Sequence, residues 1–375
     1  TVADDSTVTG RRVNLTQASL PENKQGVHVD PSEWNRNDGF SPSQMILAQV
    51  PGVDLAKTGA PPITDIEQSL RPDSPVVVIR ASTGEQHLVF AELDANASDP
   101  AEQVFIIRPM VQFERGERYI VALRTLRNAA GEILEAPQVF RAFRDDILTD
   151  NDAIEDRRPA MEDIFSILDD AGIAREELYL AWDFNIASVE NITERVLHIR
   201  DDAFASLGNA APQFTVTEVV DLEPCAETGC ETGQDPYKSR TIVGTFEVPN
   251  YLDSDDGGPG SNFYYAEPDD GLPDRIGGDN LFTAKFYCSI ARSVAEDFSA
   301  PPKALARPSL YGHGLLGSGE EALRGTGANI NIMANDHRMM FCGTDWSGFA
   351  EEDVGYAVRG LQDWSLLPAV FDRQQ

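Results

Sequence analysis

Between Gly39 and Asp145 the chain breaks into short runs of β-forming residues: Val76–Ile79, His87–Phe90, Val104–Ile107, Tyr119–Leu123 and Val139–Phe143. Turn-rich stretches such as Arg80–Gly84 and Asn128–Gly131 separate them. β-Branched and aromatic residues suit a half-buried pleated surface, and their even spacing limits the segment to several short strands. It predicts an immunoglobulin-like β-sandwich over residues 39–145. Residues 1–38 are polar and irregular and read as an extended lead-in.

After residue 145 the period changes. Met161–Leu168 has apolar residues at helical spacing and stops at Ala171–Gly172, where glycine suits a C-terminal cap. Leu178–Phe184 reads as a strand. Ser188 then caps a helix whose apolar positions include Val189, Ile192, Val196, Leu197 and Ile199, ending at Gly208. Residues 146–211 are therefore expected to form a helical connector. Beyond Pro212, strands are expected at Phe214–Val220, Thr241–Val248, Leu281–Ile290, Arg307–Tyr311 and Met339–Cys342. Helices are expected over Glu321–Asn335 and Asp353–Arg373. Strand–helix–strand–helix with short apolar strands predicts a parallel sheet packed by helices over residues 212–375.

Charge narrows the partners. The 62 acidic residues against 30 basic give a formal net charge of −32. Such a surface repels phosphate backbones and excludes nucleic acid as a partner. It suits a protein kept soluble in salt, where charge is screened, and equally a merely acidic secreted one. No apolar run approaches the roughly 18 residues of a transmembrane helix. The polar opening Thr1–Ser6 fits a mature secreted chain.

Four cysteines are present. Cys225 and Cys230 flank a polar loop, and thiols so close suggest a local disulfide and an oxidising compartment, secreted or periplasmic. Zinc is the rival reading, without a second Cys or His pair nearby to complete a site. Cys288 and Cys342 lie in apolar runs and either pair or stay buried thiols. Asp253–Gly260 and Glu267–Asp274 carry carboxylates on glycine-rich loops, where Ca²⁺ is conceivable as the only cofactor. Neither keeps the ligand register of a calcium loop, so solvated acidic loops are the preferred reading.

One stretch carries chemistry. The apolar run Arg307–Tyr311 leads into Gly312-His-Gly-Leu-Leu-Gly317. The strand and turn resemble the oxyanion turn of α/β-hydrolases of the lipase and esterase kind. The chain as a whole resembles secreted bacterial members that carry a β-rich region before the catalytic domain, with Ala181–Phe184 and Arg200–Phe204 adding to the likeness. The resemblance implies the first part of an α/β-hydrolase parallel sheet. It implies a serine carboxylic-ester hydrolase acting on small, lipid or polymeric esters. Leu315 would offer its backbone N–H to the oxyanion, Gly314 would permit the turn, and His313 would orient it. Leu316, Asp345 and Trp346 would line the substrate cleft.

The family also requires a nucleophile in Gly-x-Ser-x-Gly, followed by its acid and its histidine. No serine fits: Ser318 is preceded two positions earlier by Leu316, and Ser347 by Asp345. The triad is thus expected beyond residue 375, on a remainder of the protein docked as a separate fragment. His28, His87, His198 and His337 match no metal-ligand or catalytic spacing, and His313 as a structural histidine in a glycine-rich turn is the bland alternative. An amidase or peptidase would use the same turn. A calcium-dependent binding or surface module with an inert hydrolase-like domain is the reading from another class.

Overall fold

The structure, a computed structural model, describes residues 1–375 except 98, 100, 101, 268–270, 279, 324–328 and 373–375. In chain order the strands are β1 (Val2–Ala3), β2 (Arg11–Arg12), β3 (Ile46–Gln49), β4 (Val76–Arg80), β5 (Val89–Leu93), β6 (Val104–Pro109), β7 (Arg118–Arg124) and β8 (Leu178–Asn185). They continue with β9 (Phe214–Asp221), β10 (Lys238–Pro249), β11 (Leu281–Ala291), β12 (Arg307–Tyr311) and β13 (Met339–Thr344). The α-helices are α1 (Leu55–Thr58), α2 (Gln138–Arg144), α3 (Asp152–Glu155), α4 (Arg158–Asp170), α5 (Val189–Leu207), α6 (Asn329–His337), α7 (Val354–Gln362) and α8 (Leu367–Asp372). The chain divides into one unit of Thr1–Leu15 with Ser32–Ile192, and a second of Thr16–Pro31 with Thr193–Gln375.

In the first unit two three-stranded antiparallel sheets form, with strand orders β3-β6-β5 and β4-β7-β8. Both feed one core. Phe105 and Ile107 enter from the first sheet, and Val76–Ile79 and Ile120–Leu123 from the second. Met161, Ile164, Phe165 and Leu168 of α4, at i, i+3, i+4 and i+7, complete it. An immunoglobulin-like sandwich fills its core from two sheets alone, whereas here helices share it, so that expectation is corrected. Val139–Phe143, expected as a strand, folds as α2: Phe140 and Phe143 are buried one turn apart while Val139 faces out. Residues 158–185, expected to be connector, contribute α4 and β8 to this core.

In the second unit one five-stranded sheet has the order β12-β13-β11-β10-β9. The expected α/β-hydrolase parallel sheet is not what forms. Only β12 and β13 run parallel; β13–β11, β11–β10 and β10–β9 are antiparallel. The physical reason is connectivity. Among the described residues no α-helix lies between β9 and β10 or between β10 and β11, and these strands return antiparallel, whereas a parallel pair needs a crossover. The β12–β13 crossover has one, through α6. The expected helix over Glu321–Asn335 is instead a 3-10 turn at Gly319–Ala322, then α6, with residues 324–328 outside the described residues. The helix expected to Arg373 breaks at Asp363, whose side chain accepts from Ser365 N–H and starts a new turn. Ala291, Val294, Ala295, Ala334 and Phe341 form a small core on this sheet.

Cys225–Cys230 and Cys288–Cys342 are both disulfides. Zinc between Cys225 and Cys230 is thereby excluded in this state. Cys288 and Cys342 are directly opposed register partners on β11 and β13. No described helix is long and apolar enough to cross a membrane.

Candidate functional site

β12 delivers the chain into the turn that follows it. Gly317 N–H donates to Gly314 O at 3.0 Å, closing a four-residue turn with Leu315 and Leu316 at its centre. Leu316 has φ +57°. A positive φ at the third position marks a type II turn, where glycine or asparagine is the usual occupant. Holding a leucine there requires surroundings that overdetermine the backbone.

Those surroundings are visible on both sides. His313 is buried. Its Nε2 accepts the Trp346 backbone N–H at 3.0 Å, so the ring proton lies on Nδ1, which donates to Gly314 O at 2.7 Å. Both ring nitrogens are spent on backbone. The histidine therefore ties the turn to the loop after β13 and has no nitrogen left to act as a base. The Trp346 ring packs beside it, 5.9 Å between centroids.

On the far side, Ser318 caps the 3-10 turn in a reciprocal box with Glu321. Asp345 locks that box. Its Oδ1 accepts from the Ser318 hydroxyl at 3.0 Å and from Gly319 N–H at 2.8 Å, and its Oδ2 accepts from Tyr287 OH at 3.1 Å. Burial, then the Asp345 charge and hydrogen bond, push the Tyr287 phenol up to about 12, so it remains a donor. Glu321 takes Tyr311 OH at 2.9 Å. Gly319 and Gly343 pass in near contact: a Cβ on Gly319 would lie 2.6 Å from Thr344 C, and one on Gly343 2.6 Å from Gly319 O. Lys238, buried on β10 beside Asp235 at 3.2 Å, donates to Leu323 O at 2.5 Å and fixes the end of the 3-10 turn.

This frame leaves donors unused. Among the described residues, the Leu315 and Leu316 N–H groups donate to no protein acceptor. Leu315 is exposed, as are Leu310 on β12 and Trp346, giving the turn an apolar lip.

The sequence-based candidates thus gather in one place with altered roles. His313, Gly314, Leu315, Leu316 and Trp346 meet around the turn. Asp345 is there too, but with its oxygens engaged by three donors it braces the backbone rather than facing a substrate. Ser318, Glu321, Tyr311 and Tyr287 were not anticipated, although Ser318-x-x-Glu321 is a readable capping box. Serine, histidine and aspartate stand close together here without forming a triad: Ser318 gives its hydroxyl to Asp345, and His313 gives both nitrogens to backbone. No cluster of three or more His, Cys, Asp or Glu side chains suited to a metal occurs among the described residues. In the acidic loops, Asp253 accepts Asn262 N–H and Asp256 accepts Gly258 N–H, both as turn braces; residues 268–270 of the second loop lie outside the described residues.

No family model, curated protein or solved structure matches the chain.

Proposed function

We propose that this chain supplies the oxyanion-binding part of a serine carboxylic-ester hydrolase active outside the reducing cytoplasm. The observation that carries the reading is the pair of unpartnered backbone donors at Leu315 and Leu316, on a strained turn braced by His313–Trp346 and Ser318–Asp345–Tyr287. Preorganised N–H groups aimed at developing negative charge stabilise a tetrahedral intermediate without reorganising in the reaction. The apolar lip of Leu310, Leu315 and Trp346 suits the acyl side of a lipid or polyester substrate. The nucleophilic serine and its acid–base partners come from polypeptide outside these 375 residues. Among the described residues β12 pairs only with β13, so its outer edge is open to such a polypeptide. The two disulfides support a secreted or periplasmic location.

The test is hydrolysis of p-nitrophenyl butyrate by the protein with all copurifying polypeptide, comparing wild type with His313→Ala. Loss of a properly placed oxyanion donor lowers kcat about 100- to 1,000-fold. The expected result is a fall of that order in kcat with KM nearly unchanged. Unchanged turnover overturns the assignment.

A further inference from the structure

The loop between β10 and β11 folds against the later part of α5 and bounds a groove of about 560 Å³. That volume lies within the range of about 300–1,000 Å³ usual for small-molecule sites. His198, Asp202 and Ser206 stand at i, i+4 and i+8, so α5 presents them along one face into the groove. The loop contributes Tyr251, Asp274 and Arg275.

Asp202 organises the floor. Its Oδ2 accepts from Tyr251 OH and from Arg275 Nε, each at 2.6 Å, and its backbone carbonyl accepts from Arg275 Nη2 at 2.8 Å. Burial alone would raise the Asp202 carboxyl, but the Tyr251 and Arg275 hydrogen bonds outweigh it and hold it below the usual range. Burial, then the Asp202 bond, pushes Tyr251 up to about 12, so the phenol stays a donor. The guanidinium is fixed in its plane before any ligand arrives.

The unused groups define the ligand. Among the described residues, Arg275 Nη1, the His198 ring, Asp202 Oδ1 and Asp274 Oδ1 have no hydrogen-bond partner in the protein. Donors and acceptors alternate in one groove. An anion would meet the two carboxylates, and a cation would meet the guanidinium. Hydroxyl groups, each a donor and an acceptor, satisfy both kinds. Planar guanidinium and carboxylate groups also suit neighbouring hydroxyls held in fixed geometry.

We infer that this groove binds a neutral polyhydroxylated molecule, a sugar unit of a carbohydrate. The inference does not depend on ester hydrolysis. Ligand-observed NMR and calorimetry on the intact protein, with maltose, cellobiose, xylobiose and chitobiose as probes, test it; sodium sulfate and ethylamine serve as ionic controls. The expected result is saturable binding of at least one saccharide, weakened about tenfold or more by His198→Ala, as for one lost hydrogen bond to a ligand. Arg275→Lys should weaken it similarly, and His198→Ala decides alone if that variant misfolds. Absence of saccharide binding, wild-type affinity in His198→Ala, or saturable binding of sulfate or ethylamine at these residues overturns it.

Discussion

At Leu316 a leucine holds φ +57°, a region that disfavours residues with a Cβ by roughly 1–2 kcal/mol. Relieving that strain separates backbone cost from side-chain use. Leu316→Gly is expected to leave folding stability unchanged or raise it by up to about 1 kcal/mol, and Leu316→Val, β-branched at the same φ, to lower it by about 1 kcal/mol or more. Urea unfolding of both variants checks this; equal stability of the two would show that the turn is not strained. Gly319→Ala places a Cβ against Thr344 backbone that cannot yield easily, so a loss of about 1–3 kcal/mol is expected in the same assay. The turn was legible at this scale because its signal is local: adjacent glycines and a histidine between them. Asp345 was not. Its partners are 26, 27 and 58 residues away in sequence, and no short-range pattern reveals that its oxygens are already taken.

Among the elements, short apolar runs announced their existence more reliably than their type. Val139–Phe143 satisfies a strand template, yet burial of Phe140 and Phe143 on one side is helical, and a run of that length does not decide between the periods. Strand direction was equally hidden. β10 and β11 look like any apolar strands, and their antiparallel return shows only in their register and in a connection with no helix among its described residues. Cysteine spacing showed the Cys225–Cys230 link, while the Cys288–Cys342 link required the register of β11 on β13. The two disulfides should differ in worth. With separations of 54 and 5 residues, chain-entropy reasoning gives about 4 kcal/mol for Cys288–Cys342 and about 2 kcal/mol for Cys225–Cys230. Urea unfolding of the paired Cys→Ser variants measures this, and a larger loss at Cys225–Cys230 would contradict it.

For the molecule as a whole, a net charge of −32 sets the response to salt. Raising ionic strength from about 0.01 to 1 M shortens the screening length from about 30 to 3 Å and relieves self-repulsion. The melting temperature should rise across that range in calorimetry; a flat or falling profile contradicts the charge reading. The alkaline limb has a separate origin. Tyr251 and Tyr287 are both pushed up to about 12, against about 10 when unfolded. The native state therefore holds protons that the unfolded chain releases. Their stabilisation is complete below about pH 10 and is lost as pH rises through about 12. Tyr287→Phe and Tyr251→Phe should flatten that loss in pH-dependent melting, and an unchanged slope would contradict it.

The claim on which the functional account rests is that the turn at Leu315 serves a serine nucleophile carried elsewhere. Labelling the complete preparation with a fluorophosphonate, with intact mass read on every polypeptide present, tests it most directly. The account predicts one label on a serine outside these 375 residues and none on this chain. A label on Ser318, or none on any polypeptide of the folded preparation, would contradict it.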